Sequence, residues 1–252
     1  MSRATTIQEV LNQLDTIIAD AIPANNRLGL FAYVYRRTTA EILKEVQLGS
    51  FEDNELLEQL DVAFANLYLD AYEKYQAKEP VSKSWEFAFV HSDAPLSIVQ
   101  HIMMGMNAHI NLDLAIATSI VMQGKDIRLV KHDFDKVNDI LFNIINDIQD
   151  RLSRVSRLMF LLDIVAKNSD EKIIDFSMRK ARQQSWNNAN LLWGLGAGQQ
   201  DGAIRTMDDV VLKISGFIKS PKSKVIRFIL DIIRKFETKN VGSIILKLRR
   251  DS

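Results

Sequence analysis

From Leu96 to Gly124 the chain is free of proline and mostly apolar, and its periodicity predicts one long helix; yet it carries His101, Asn107, His109, Asn111 and Asp113. At about 100° and about 1.5 Å per residue, His101, Gly105, His109 and Asp113 form one slanted stripe, and Asn107 and Asn111 fall on the opposite side. A helix with polar groups on two sides of an apolar surface has no solvated back, so other elements must surround it. Inside such a shell a polar group costs several kcal/mol unless it is hydrogen-bonded or ligated. The partners of these groups are where function is to be sought.

The rest of the chain supplies that shell. Only 10 glycines and 4 prolines interrupt 252 residues, and no strand alternation or repeat is present. Helix one opens on a capping box, Thr6-Ile7-Gln8-Glu9, with the stripe Ile7, Leu11, Leu14 and Ile18, and stops before Pro23. A second helix runs from about Arg27 to Leu48 and ends at Gly49; Asp53 or Asn54 caps a third, and Ser82 or Ser84 starts a short fourth. After the central helix, Asp133 is expected to cap a sixth that runs towards Lys167, and Ser169-Asp170 to start a seventh that ends in a loop from Gly194 to Gly202. Three shorter helices follow, broken by Pro221 and by Gly242 with its neighbours. The fold class is therefore all-α: one globular domain over residues 1–252, about ten helices around a central one at about 96–123. The glycine-rich loop is the candidate linker to a basic helical C-terminal subdomain, 203–252.

Charge and composition remove several classes. Cysteine is absent, which excludes disulfides, a thiol nucleophile and a zinc–thiolate site. Lys+Arg and Asp+Glu both number 32, so nucleic acid is not an expected partner. The balance is uneven: 12 Lys/Arg against 5 Asp/Glu from Arg205 onward, which leaves 20 against 27 before it. The amphipathic helix near Lys219–Lys239, with Val225, Ile226, Ile229, Leu230, Ile233 and Phe236 on its apolar face, could lie on a membrane surface; docking onto the domain is the expected fate, and no membrane partner is expected. With no signal-like or spanning segment, the expected location is cytoplasmic.

Candidate chemistry concentrates on the central stripe. His109 and Asp113, four apart, can bond each other, share a metal ion or work as a metal-free acid–base pair. His101 lies about 12 Å away along the axis, too far to join the same tetrahedral ion. Asp61 sits on the stripe of Leu57, Phe64 and Tyr68, and needs a metal, donors or a cation such as Arg36, Arg37 or Arg182. Arg182 shares a stripe with Ile174, Met178, Trp186 and Trp193, where it can clamp an anion or snorkel outward. The row Asp139, Asn143, Asn146, Asp147 and Asp150 is expected to be a solvated face, His132 to be solvated at a helix start, and His91, after an aromatic run, to cover the core. There is no GxSxG, P-loop or HExxH motif.

The stretches HIMMGMNAHINLDLAIA, GSFEDNELLEQLDVAFANLYLDAY, DFDKVNDIL and MRKARQQSWNNANLLW resemble the bacterial family known as domain of unknown function 5995, from about Arg27 to Leu248. The resemblance implies an all-helical cytoplasmic protein and brings no activity with it. Its motif positions would be Asp53, Asp61, Phe64, Tyr68, Asn107, His109, Asp113, Asp133, Asn138, Arg182 and Trp186. The HxxxD pair is also similar to part of the pattern of zinc-dependent phospholipases C and nucleases, which would make the protein a hydrolase, but the later histidines of that pattern are missing.

Two functional readings stand at this point. In one, the protein is an enzyme for a small, partly apolar substrate, with His109, Asp113, His101, Asn107 and Arg182 as catalytic residues, and His109, Asp113 and Asp61 as ligands if a divalent metal is the cofactor. In the other, it is a non-catalytic ligand-binding or interaction protein whose buried His/Asn/Asp network is structural. A small molecule is the expected partner; cofactor and oligomeric state stay open.

Overall fold

The computed structural model describes residues 2–141, 151, 178–196 and 198–249. All regular structure among the described residues is helical: α1 (Ile7–Ala21), α2 (Leu28–Gln47), α3 (Asn54–Gln76), α4 (Lys83–Val90), α5 (Ile98–Ala108), a π-helical turn (His109–Asp113), α6 (Leu114–Val121) and a 3-10 turn (Ile127–Val130). The chain continues with α7, described over 131–141, then α8 (Met178–Leu195), α9 (Gln200–Lys219), α10 (Lys224–Phe236) and α11 (Val241–Arg249). No helix among the described residues is long and apolar enough to cross a membrane.

The central segment α5–π-turn–α6 packs against α2, α3, α4, α8 and α9, as its two-sided polarity demands. Apolar side chains of α9 (Val211, Ile218) and α11 (Val241, Ile244, Ile245, Leu248) belong to the same core cluster as those of α1 to α6. Close approach of α2 to α5 depends on Gly105, where a Cβ would stand 2.5 Å from Cγ of Phe31.

Local capping follows the sequence in part. Side chains of Thr6, Asp53 and Ser82 cap α1, α3 and α4. The Glu9 carboxylate, however, accepts from the Thr5 N–H and hydroxyl rather than closing a box on Thr6, whereas Ser97 and Gln100 do form a reciprocal box at the start of α5. Other helix starts take carboxylates from distant elements. Asp208 of α9 accepts from the N–H groups of Lys83 and Ser84 at α4, and Glu237 from that of Ile98 at α5. Such carboxylates satisfy orphan N–H groups and oppose the positive helix end, so they fix the position of one helix against another.

Several expected boundaries are corrected. Asp133 does not cap its own helix: it lies inside α7, and its two oxygens accept from Glu52 N–H and Asp53 N–H at the start of α3. Gly194 lies within α8 and Gly202 within α9, which leaves a connection of only residues 196–199. α9 has 20 residues and is not short; the expected break near Gly242 falls on its neighbours, residues 237–240, and Gly242 itself lies in the first turn of α11. The extension to Lys167, the start at Ser169, and Asn143, Asn146, Asp147 and Asp150 fall outside the described residues; Asp139 is exposed beside Arg179 at 3.3 Å. α10 docks through Ile226, Ile229, Leu230 and Ile233, but Val225 and Phe236 face outward.

Candidate functional site

The site begins with a break in helical register. The Leu114 N–H donates to the carbonyl of His109, five residues back, so the central helix widens by one residue between His109 and Asp113. Such π-turns are rare and concentrate at functional positions. Widening brings residues four apart nearer to eclipsed than the offset of about 40° in an α-helix. It also disturbs the backbone ladder, and the buried Ser185 hydroxyl of α8 donates to the Ile110 carbonyl at 2.6 Å.

His109 Nδ1 lies 2.9 Å from Oδ2 of Asp113, and the same oxygen accepts from the Trp85 indole N–H at 2.9 Å. The imidazole is 2 % exposed. The Phe64 ring stacks on it at 3.6 Å and 7°, Tyr35 meets it edge-on at 4.4 Å, and Phe31, Tyr68 and Trp85 complete the cage. Burial among these rings holds the imidazole well below the usual histidine range. It pushes the Asp113 carboxyl up, against the opposing hydrogen bond from Trp85.

His109 Nε2 has no hydrogen-bond partner. Its ring lines a cavity of about 80 Å³ whose other walls include Phe31, Tyr35, Phe64, Met106 and Phe134. Asp61 and Arg182 line the same cavity; Asp113 stands behind the imidazole and does not. Oδ2 of Asp61 is shut off from solvent and without a partner. Burial raises this carboxyl to about 7, although the charge of Arg182 pulls the other way. The Tyr35 hydroxyl, pushed up by burial and then by Asp61, is likewise without a well-formed hydrogen bond.

Arg182 stays inside. Its Nε donates to Asn138 Oδ1 at 2.8 Å, an Nη donates to the Phe134 carbonyl at 2.7 Å, and the guanidinium lies 4.4 Å over the Phe134 ring. Burial lowers it to about 10. No ion pair with Asp61 is formed, and Arg36 is taken by Asp15 through two 2.9 Å bonds.

The structure thus brings His109, Asp113, Asp61 and Arg182 together, and takes two expected members elsewhere. Asn107 donates to the Val211 carbonyl and Ser215 Oγ and accepts from Asn111, tying α5 to α9. His101 lines a separate void of about 20 Å³ near Arg27, and burial lowers its pKa to about 4. Tyr35, Phe31 and Trp85 were not foreseen; the signal for Trp85 was that a buried indole N–H needs an acceptor. For a metal, His109, Asp113 and Asp61 do not offer a converging set, because Nδ1 and Oδ2 are committed to each other. Among the described residues, the His, Asp and Glu side chains whose ligand atoms do gather in a group of three, within 4.8 Å of one another, are Glu52, His132 and Asp133; the first two are exposed, and the Asp133 oxygens already serve α3.

A family model described as "Family of unknown function (DUF5995)" matches residues 7–221. The match takes in α1, which the resemblance read from the sequence left out, and ends before α10. No curated protein and no solved structure matches the chain.

Proposed function

The chain belongs to this family of unknown function, and from the geometry of its cavity we propose that it is an enzyme acting on a small, largely apolar molecule through proton transfer at His109. The observation that carries the reading is the partnerless Nε2 of a buried imidazole whose other nitrogen is fixed by Asp113. Asp61 Oδ2 and Tyr35 Oη, on the walls of the same cavity, are partnerless too, and buried polar atoms gathered at one void without partners await a ligand.

The couple has two proton placements. With Asp113 ionised, Nδ1–H donates to it and Nε2 offers a lone pair; with Asp113 protonated, the carboxyl donates to Nδ1 and Nε2–H points outward. The second state holds one proton more than the first: Nε2 takes that proton from the ligand as the Nδ1 proton shifts to Asp113, and returns it by the reverse shift, which is the arrangement of a general acid–base pair with a carboxylate partner. Trp85 and the stacked Phe64 fix the ring. The cavity has room for only a few heavy atoms. Its apolar walls select hydrocarbon, while Nε2, Tyr35 Oη and Asp61 Oδ2 select one hydroxyl or N–H group. Arg182, already satisfied by Asn138 and Phe134, acts as a fixed positive charge near Asp61.

The second reading, ligand binding without chemistry, draws on the same cavity and on the mutual bond of His109 and Asp113. Small alcohols and small amides of two to four heavy atoms, screened by thermal shift and by ¹H–¹⁵N spectra of ring-labelled histidine, test the pocket itself. A hit is expected to raise Tm and move the His109 resonance, and to lose both effects in Asp61→Asn or Tyr35→Phe. Binding that leaves the His109 signals unmoved would overturn the assignment; binding with no turnover of any hit would favour the second reading.

A further inference from the structure

α10 carries more apolar surface than the domain covers. At about 100° per residue its apolar positions span an arc of about 200°, from Phe228 through Ile232, Val225 and Phe236 to Ile229, Ile233, Ile226 and Leu230. The half with Ile226, Ile229, Leu230 and Ile233 is buried. The other half is not: Val225 is 56 %, Phe228 66 % and Phe236 72 % exposed. Lys224 and Lys235 border this shoulder on the side away from the core; Asp231 follows them around the helix and Arg227 lies beyond it. Among the described residues none of these three cations is paired with a carboxylate, whereas Arg234 lies 3.4 Å from Asp231. From Lys219 to Lys239 the chain has 7 Lys/Arg against 2 Asp/Glu. At the near end Lys222 reaches over the ring of Phe217, itself 43 % exposed.

We infer that the outer shoulder of α10 is a docking surface for an anionic lipid bilayer, on which Val225, Phe228 and Phe236 enter the headgroup–acyl boundary while Lys224, Arg227 and Lys235 meet lipid phosphates. Exposed aromatic and aliphatic side chains beside unpaired cations are the composition of an interfacial helix. A second copy of the chain fits less well. Two shoulders related by a two-fold axis would set Lys224 and Lys235 of one against those of the other, with Asp231, already beside Arg234, the single carboxylate of the helix on that side. The helix is too short to span a membrane and lies along it instead. It falls outside the residues matched by the family model, and its docking is independent of the cavity.

Cosedimentation of the full chain with vesicles tests this, using phosphatidylcholine alone against an equal mixture of phosphatidylcholine and phosphatidylglycerol. The bound fraction on the anionic vesicles is expected to exceed that on the neutral ones by about tenfold, and to fall with added salt. The double variant Phe228→Ser/Phe236→Ser and, separately, Lys224→Glu/Lys235→Glu are each expected to abolish it. All four positions are exposed, and an unchanged thermal melt checks that each variant folds. Absence of binding to both vesicle types, or binding that both folded variants retain, would overturn the inference. So would a dimer in solution that Phe228→Ser/Phe236→Ser dissociates.

Discussion

Asp61 separates a ligand site from a structural network better than His109 does. Truncating His109 leaves a void inside five rings and takes the Nδ1 partner from Asp113, so His109→Ala costs stability under either reading. Asp61 differs because its buried oxygen has no partner to lose. The folded chain holds its proton up to about 7, well above the ordinary 3.8. Above that range the buried charge is a net cost to the folded state. Asp61→Asn is therefore expected to raise stability at pH 8, by on the order of 2 kcal/mol once partial exposure is allowed for, and to weaken ligand binding; urea denaturation of both proteins measures the first effect. A gain in stability with a loss of binding marks a group kept for function. A loss of stability would show that Asp61 has a structural partner.

At the scale of elements, periodicity made most of the helices legible, since capped, breaker-poor amphipathic segments such as α1, α2 and α3 leave little choice. The π-turn was not legible. Apolar periodicity through Ile110, Leu112 and Leu114 reads as continuous helix, and the extra residue shows only in the backbone bond from Leu114 to His109. The asymmetry between Asn107 and His109 was hidden for a related reason. Both looked like pocket candidates, but α9, far off in sequence, supplies Val211 and Ser215 to satisfy Asn107 and nothing to satisfy His109 Nε2. Asp133 was legible as a cap, but of the wrong helix, because its acceptors serve α3 across the fold. The π-turn rests on Ser185, whose hydroxyl is the partner of the Ile110 carbonyl. Ser185→Ala is expected to cost about 1–3 kcal/mol and to alter the near-ultraviolet circular dichroism of Trp85; an unchanged spectrum and Tm would show that the turn is held without it.

For the molecule as a whole, buried titratable groups set an unusual pH response. His101, lowered to about 4, refuses a proton that the unfolded chain accepts, so its contribution is lost as pH falls from 6.5 towards about 4; His109, held well below 6.5 by burial, acts in the same direction. Asp61 retains a proton that the unfolded chain releases, so its contribution is lost as pH rises from 3.8 towards about 7; Asp113, pushed well above 3.8 by burial, acts in the same direction. Over the shared window the two slopes oppose each other, and Tm is expected to be nearly flat. Asp61→Asn should tilt the profile, with Tm falling on acidification; His101→Gln should tilt it the other way. Parallel tilts in the two variants would mean that these groups do not carry the pH response.

The central claim is that His109 is a neutral, buried imidazole whose Nε2 faces a cavity open to a small ligand. A pH titration of ring ¹⁵N-labelled protein, followed at His109 with and without ethanol, puts this to the test. His109 is expected to stay uncharged from pH 8 to well below 6.5, the ordinary value, and ethanol to shift Nε2 more than Nδ1. Titration near 6.5, with no response to ethanol or to any other ligand of two to four heavy atoms, would overturn it.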